Sequence, residues 1–349
     1  MTPENTALWL PKRGAQFALG AAPYTRPAAD EVVVRVRAVA VNPIDGMPGF
    51  AYRLILPWLT FPAVVGCDVA GEVVEVGSDV TRLRPGDRVV GIAGGIERDR
   101  NRAAEGAFQR YAVLVQYMVA PIPDELPFEQ AAVLPLAMST AATGLFQQDH
   151  LGLALPTIDA VDRGQTVLVW GGSTSVGINA IQLARNAGYR VIATSSPRNF
   201  DYLRSLGAVA TVDYHNSTAV DELVDAIGDS PLAGTLAIGD GALPPTLAVA
   251  SRVPGSRRIA SAQPALITRM QLLFRRRKGV QVSGIWGGSL KDNEVGPGIY
   301  VDFLPAALAK GTYRAAPEAV VVGDGLDKIP DALERLKAGV SAKKLVVTV

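Results

Sequence analysis

The chain has 349 residues, 48% of them hydrophobic and 19% charged, with a formal net charge of +1. Such a balance describes a folded globular protein of two domains, each able to bury a core, and gives no sign of a nucleic-acid or membrane partner. The single cysteine, Cys67, rules out an intrachain disulfide. The opening MTPENTALWLPK lacks the regions of a signal peptide, and no apolar run approaches the length of a membrane span, so a cytoplasmic location is expected.

From the N-terminus, β runs punctuated by glycine and proline dominate. Residues 31–41 alternate Val with Arg and Ala, which predicts a half-buried strand. Residues 64–76, VVGCDVAGEVVEV, form a second long β segment that its glycines should bulge or bend. Arg84-Pro85-Gly86-Asp87 is a turn into the strand 88–92, and a polar loop over 97–105 precedes a strand at 107–115. Many short strands with turns between them suggest a small antiparallel barrel. The pattern changes at Pro121-Ile122-Pro123. Residues 128–134 and 138–148 read as helices, and 156–162 as a linker.

Next comes QTVLVWGGSTSVGINAIQLARNAGYRVIATSSP, residues 165–197. The β-branched run 166–170 reads as a buried parallel strand. Glycines and small residues follow, then a helical apolar period from Ile178, closed by Gly188, and a second strand at 190–194. This is one βαβ unit of the dinucleotide-binding kind. A glycine at the strand end allows a sharp turn, and Gly177 allows helix and strand to pack closely. Thr174 and Ser175 stand where the G-x-G-x-x-G motif has glycine, and their hydroxyls are candidates for phosphate contact. It is not a P-loop, since Ile178-Asn179 replaces the Lys-Ser/Thr pair. Gly172, Ser173, Thr174, Ser175 and Val176 are the expected pyrophosphate contacts, at a helix N-terminus.

The second strand ends in Ser195-Ser196-Pro197-Arg198-Asn199, without the carboxylate that usually accepts from a ribose 2′-OH. Hydroxyls and a guanidinium suit a 2′-phosphate instead. A charge-assisted hydrogen bond contributes roughly 1.5–3 kcal/mol, so Arg198 alone favours NADPH over NADH about tenfold or more. The same stretch also reads as a capped helix start on the surface.

Beyond it, strands and helices alternate: helix 199–206, strand 210–212, helix 219–227, strand 235–238, helix 244–250, strand 257–260, helix 265–275 and strand 280–285. They predict a doubly wound parallel sheet. From Pro297 the chain offers a helix, a strand at 319–322, a helix at 326–338 and a terminal strand at 344–349. The expected domains are a catalytic one over 1–122, a nucleotide-binding one over 123–296, and a segment 297–349 returning to the first.

A chain carrying VVGCDVAGEVVEVGSDV-TRLRPGDRV, GAFQRYAV and VLVWGGSTSVG in this order resembles the medium-chain dehydrogenase/reductase superfamily over essentially its whole length. VAVNPIDG (39–46), LPLAMSTAATGLF (134–146) and ATSSPRNFDYLRSLGA (193–208) are similar to its zinc-free quinone-reductase and enoyl-reductase branch, and most of all to the trans-acting enoyl reductases of polyketide synthesis. The resemblance implies a GroES-like barrel plus a Rossmann domain, an active site in the cleft between them, and NADPH as hydride donor to an activated carbon–carbon double bond.

Metal ligands are scarce. A catalytic zinc needs cysteine, histidine and carboxylate ligands, and a structural zinc four close cysteines. This chain has one cysteine and two histidines, His150 and His215. By resemblance, Asn42 stands at the first ligand position of the zinc branch and Gly66-Cys67-Asp68 replaces Gly-His-Glu. No metal site is expected, and Cys67 reads as a small buried residue. Without zinc an alcohol lacks its usual Lewis acid. A conjugated enone, quinone or enoyl thioester needs only positioning and donors for a developing enolate, followed by protonation at the α-carbon.

The resemblance places Asn42, Asp45 and Thr140 near the nicotinamide. Tyr52 falls near a tyrosine that enoyl-thioester reductases use for protonation, although the spacing to Pro62 differs; the alternative is an aromatic on a loop over the cleft. Tyr214 matches a position contacting the adenosine phosphate, or is a plain edge tyrosine. Gly239 and Ile285 end later strands and should approach the nicotinamide half. The cationic run 275–278 with Arg269 reads as a solvated helix end, with a polyanionic substrate carrier as another use. Three functions remain: an NADPH-dependent reductase of enoyl thioesters or enones, small or carrier-bound; an NADPH:quinone reductase; and a non-catalytic NADPH-binding protein. A homodimer is left open.

Overall fold

The computed structural model describes residues 3–263 and 279–349. Its contacts divide the chain into two compact units. The first comprises Met1–Leu136, Tyr300–Ala309 and Ala315–Val349, and the second Ala137–Ile299 and Lys310–Arg314. Among the described residues, no helix is long and apolar enough to cross a membrane.

The first unit contains β1 (Asn5–Leu10), β2 (Ala18–Ala22), β3 (Glu31–Ala40), helix α1 (Gly49–Ile55), β4 (Ala63–Val64), β5 (Asp68–Val76), β6 (Arg88–Ile92), β7 (Tyr111–Val115), β8 (Val119–Pro121) and α2 (Phe128–Ala131). A longer helix, α3 (Pro135–Phe146), follows. The second unit then supplies β9 (Thr166–Trp170), α4 (Ser175–Asn186), β10 (Arg190–Ser195), α5 (Phe200–Leu206), β11 (Ala208–Asp213), α6 (Ala219–Ile227), β12 (Leu232–Ala237), α7 (Leu243–Ala250), β13 (Arg258–Ser261) and β14 (Gln281–Gly284). After α8 (Leu304–Lys310), the strand β15 (Glu318–Asp324), helix α9 (Ile329–Lys337) and strand β16 (Lys343–Thr348) belong to the first unit.

In the first unit β3 is the strand on which β5, β7 and β16 all pair, so it has no free edge. Its residues are buried on both faces apart from Arg35 and Arg37, which corrects the half-buried expectation. The pairing is antiparallel throughout except for β15 with β16, which run parallel. The expected single strand over 64–76 is two, β4 and β5, broken at Val65–Cys67. Gly66 causes the break: its φ is +94°, and a Cβ there would meet the Phe108 ring at 2.4 Å. The strand expected from Ala107 starts only at Tyr111, after an isolated bridge between Gln109 and Ala7.

The loop over 97–105 is organised by charge. Arg100 and Arg102 both pair with Glu31, at the start of β3, and with Glu105; the Arg100 Nε–Glu105 Oε2 distance is 2.6 Å. The carboxylates are 2% and 1% exposed, and at such burial a charge is tolerated only when it is paired.

The second unit is a six-stranded parallel sheet in the order β11-β10-β9-β12-β13-β14, with α4, α5, α6 and α7 as the crossovers from β9 to β13. The order reverses between β9 and β12, the switch point at which ligands bind in such sheets. The strands are apolar runs because both faces are covered. Leu168, Ile192 and Ile259 of the sheet pack with Leu223 and Ile227 of α6 and Leu247 of α7. Boundaries agree with the sequence to within a few residues, and β9 and α6 agree to the residue. The expected helix 265–275 and the cationic run 275–278 with Arg269 lie outside the described residues.

Candidate functional site

In the second unit, β9 runs into Gly171, whose φ is +87°, and the chain enters α4 through Thr174. Thr174 Oγ1 accepts from the Gly177 N–H at 3.0 Å and donates to the Gly171 carbonyl at 2.8 Å. Its hydroxyl is therefore a helix N-cap, not the free phosphate donor its type suggested. Thr194 of β10 anchors the turn from the other side, its Oγ1 accepting from Gly171 N–H and its carbonyl from Gly172 N–H. A Cβ on Gly177 would lie 2.3 Å from the Gly171 oxygen and 2.7 Å from Gly172 Cα, so only glycine lets α4 approach β9 this closely. Among the described residues, the N–H groups of Ser175 and Val176 have no acceptor. They are oriented donors at the positive end of a 12-residue helix, an arrangement suited to an anion. Gly172, Ser173, Thr174, Ser175 and Val176 are thus together in one turn.

At the end of β10, Ser195 is fully buried and donates to the Ser196 carbonyl, 3.0 Å away, while Asn199 is 8% exposed. Ser196 is half-buried and Arg198 exposed, which leaves those two as the groups facing solvent. Beside the ends of β9, β11 and β12 lies a cleft of about 260 Å³, lined by Trp170, Tyr214, Asn216, Ser217, Asp240 and Gly241 among others. Tyr214 lies over His215 with 4.0 Å between ring centroids. His215 also donates its backbone N–H to Asp213, a bond that helps hold that carboxyl below its usual range. Gly239 follows β12 with φ +91°. Ile285 follows β14 and presses on Gly144 of α3. Thr140 of α3 is half-buried against Gly287, where a Cβ would meet its Oγ1 at 2.6 Å.

The first unit holds a buried polar cluster that the sequence reading saw only in part. The registers Ala40↔Asp68 and Ala40↔Val346 bring the ends of β3, β5 and β16 side by side. Lys344 Nζ then lies 3.1 Å from Asp68 Oδ2 and donates to Asn42 Oδ1. Asn42 Nδ2 donates to Asp68 Oδ2 (2.9 Å), and the Leu136 N–H to Asp68 Oδ1 (2.6 Å). Asp45 accepts the Asn42 backbone N–H at 2.8 Å. Burial, reinforced by the nearby Asp68 charge, pushes the Asp45 carboxyl up to about 7. Burial likewise raises the Cys67 thiol, whose Sγ lies 3.9 Å from Asp45 Oδ1.

Tyr52 is 2% exposed and donates its hydroxyl to the Asp45 carbonyl at 2.7 Å. It is an interior group, not the aromatic on a loop of the alternative reading, and burial raises its phenol. Asp68 and Lys344 were missed as a pair. The available signal was an acid inside one apolar β run and a lysine at the head of another, because buried charges need each other.

The first unit has the form of a GroES-like domain and the second that of a Rossmann-like domain. Residues 28–124 match the alcohol dehydrogenase GroES-like domain. The chain is 45% identical to dehydrogenase pigH of Monascus ruber, over 99% of this chain and 100% of that one. It is 34% identical to trans-enoyl reductase himH of Aspergillus japonicus, over 99% and 97%. Among solved structures, the quinone oxidoreductase of Coxiella burnetii matches with a TM-score of 0.71 at 25% identity, covering 99% of this chain and 100% of that one. The protein belongs to the medium-chain dehydrogenase/reductase superfamily, in its enoyl-reductase- and quinone-reductase-like branch.

Proposed function

We propose that the protein is a zinc-independent, NADPH-dependent reductase that adds hydride to the activated double bond of an enoyl thioester or enone, small or carrier-bound. The observation that carries this reading is the glycine turn, with two unengaged amides at the head of α4, followed by a strand end bearing Ser196 and Arg198 and no carboxylate. Those amides fit a pyrophosphate, Arg198 a 2′-phosphate, and the cleft beside Trp170 and Tyr214 an adenosine. NADPH, when bound, supplies the hydride. Thr140 in the second unit, and Asn42 and Asp45 in the first, are each proposed, on the family resemblance, as groups that serve the nicotinamide or the substrate. They have no strong Lewis acid to offer, so the substrate must carry its own electron sink, as an α,β-unsaturated carbonyl does.

The donor set supports the absence of zinc. The oxygens of Asn42 and Asp68 already share an ammonium, Lys344, so a zinc ion there would have to displace a buried cation, and burial pushes the Cys67 thiol up, which adds to the cost of forming the thiolate a metal requires. The likeness to a trans-enoyl reductase supports the substrate class, and the likeness to a quinone oxidoreductase favours quinones as the second reading. The deciding assay follows absorbance at 340 nm with crotonyl thioester, simple enones, quinones and aldehydes, with and without a chelator. Chelator-resistant oxidation of NADPH by the thioester or enone is expected. Turnover of quinones alone selects the second reading, binding without turnover selects a non-catalytic protein, and chelator-sensitive turnover overturns the zinc argument.

A further inference from the structure

Helix α4 carries a stripe of amides, Asn179, Gln182 and Asn186, on one face, and all three are buried (0%, 2% and 6% exposed). Buried amides require partners. They find them in a short stretch far along the chain. Residues Lys310–Arg314 belong to the second unit, although the chain on either side of them belongs to the first. Asn186 Nδ2 donates to the Thr312 carbonyl at 3.1 Å. Gln182 Nε2 donates to the Arg314 carbonyl at 3.1 Å, and Arg314 N–H donates back to Gln182 Oε1 at 2.9 Å. The Arg314 guanidinium reaches on to Ser205 of α5, 2.7 Å from its carbonyl. Between these contacts the Tyr313 hydroxyl, on a side chain 1% exposed, donates to Asn179 Oδ1.

The Asn179 amide is thereby aimed. With its oxygen held by Tyr313, its nitrogen donates to the Ser175 carbonyl at 2.8 Å. The Ser175 carbonyl and the Val176 N–H lie in one planar, trans peptide unit, so fixing the direction of one fixes the other. Val176 N–H is one of the two unengaged donors at the head of the helix. Resting on the reading of that turn as a dinucleotide phosphate site, we propose that Tyr313 is a positioning residue. Through Asn179 and the Ser175 carbonyl, it orients the Val176 amide toward the pyrophosphate.

The test separates orientation of the turn from general destabilisation. Tyr313→Phe should raise the Kd of NADPH about five- to tenfold while leaving 2′-AMP, which lacks the pyrophosphate but keeps adenine and the 2′-phosphate, within twofold of the parent. In the ligand-free variant, amide hydrogen exchange should quicken over 173–178 and not over β9. Should Tyr313→Phe fail to accumulate as folded protein, Asn179→Leu should give the same selective loss. Equal weakening of both ligands, or an unchanged NADPH affinity with unchanged exchange, overturns the proposal. A parent protein that binds neither NADPH nor NADH defeats the reading of the turn instead, and the exchange comparison then still decides whether Tyr313 orders it.

Discussion

Lys344 and Asp68 stand 276 positions apart in the sequence, yet their charged groups meet at 3.1 Å in the interior of the first unit, 6% and 0% exposed. Neither residue can lose the other cheaply. An unpaired charge left in a buried site costs about 3–5 kcal/mol, whereas removing both members together is often close to neutral.

Lys344→Met is therefore expected to lower unfolding stability by roughly 3–5 kcal/mol, and Lys344→Met/Asp68→Asn to recover a large part of that loss. Urea unfolding of the single and double variants checks this. Equal losses in both would mean that the ammonium is held for packing and not for charge.

Asp45 gives the cluster a pH dependence of definite sign. Its carboxyl is near 7 in the folded protein and near 3.8 when exposed. Between those values the folded state holds a proton that the unfolded chain has lost. Stability therefore falls as pH rises through that range and levels off above about 7. The interval corresponds to roughly 4 kcal/mol at most. Asp45→Asn, which keeps an acceptor for the Asn42 N–H, should gain on the parent steadily from pH 5 to pH 7. Parallel pH profiles of the two unfolding midpoints would sink this account.

How much of this could be seen in the sequence depended on distance along the chain. The Thr166–Trp170 strand and the Ala219–Ile227 helix were legible because their period is complete within one window. The glycine turn was legible for the same reason. The partnership of Asn42 with Lys344 spans 302 residues and depends on two strand registers, which no local pattern encodes. Asn179, Gln182 and Asn186 were illegible for another reason: polar residues at helical spacing carry the pattern of a wet face, but here the backbone of Thr312 and Arg314 takes the place of water. Thr174 was singled out for phosphate contact, and its hydroxyl caps the helix rather than remaining free.

Gly177→Ala tests the close packing of α4 on β9. Alanine gains up to about 1 kcal/mol in helix propensity. Its Cβ, however, would meet Gly171 and Gly172 backbone atoms at 2.3 and 2.7 Å, and backbone has no rotamer by which to yield. Overpacking of this kind costs about 1–3 kcal/mol, so a net loss of stability and weaker NADPH binding are expected together. A variant as stable as the parent, with undiminished affinity, would show that the turn shifts freely.

Cofactor choice is the last point, and it turns on Arg198. The guanidinium is exposed at the end of β10, so its contribution belongs at the low end of charge-assisted hydrogen bonds, about 1.5 kcal/mol. Arg198→Ala should raise the Kd of NADPH roughly tenfold and leave NADH unchanged, because only the former carries the 2′-phosphate. Raising the ionic strength should weaken NADPH binding to the parent more than to the variant, since an exposed pair is screened. Asp240, in the adjoining cleft, points to the opposite control: Asp240→Asn removes a negative charge and should strengthen NADPH relative to NADH. Fluorescence titration of both dinucleotides against the three proteins measures each ratio, and a parent that prefers NADH would remove the case for a 2′-phosphate site at Arg198.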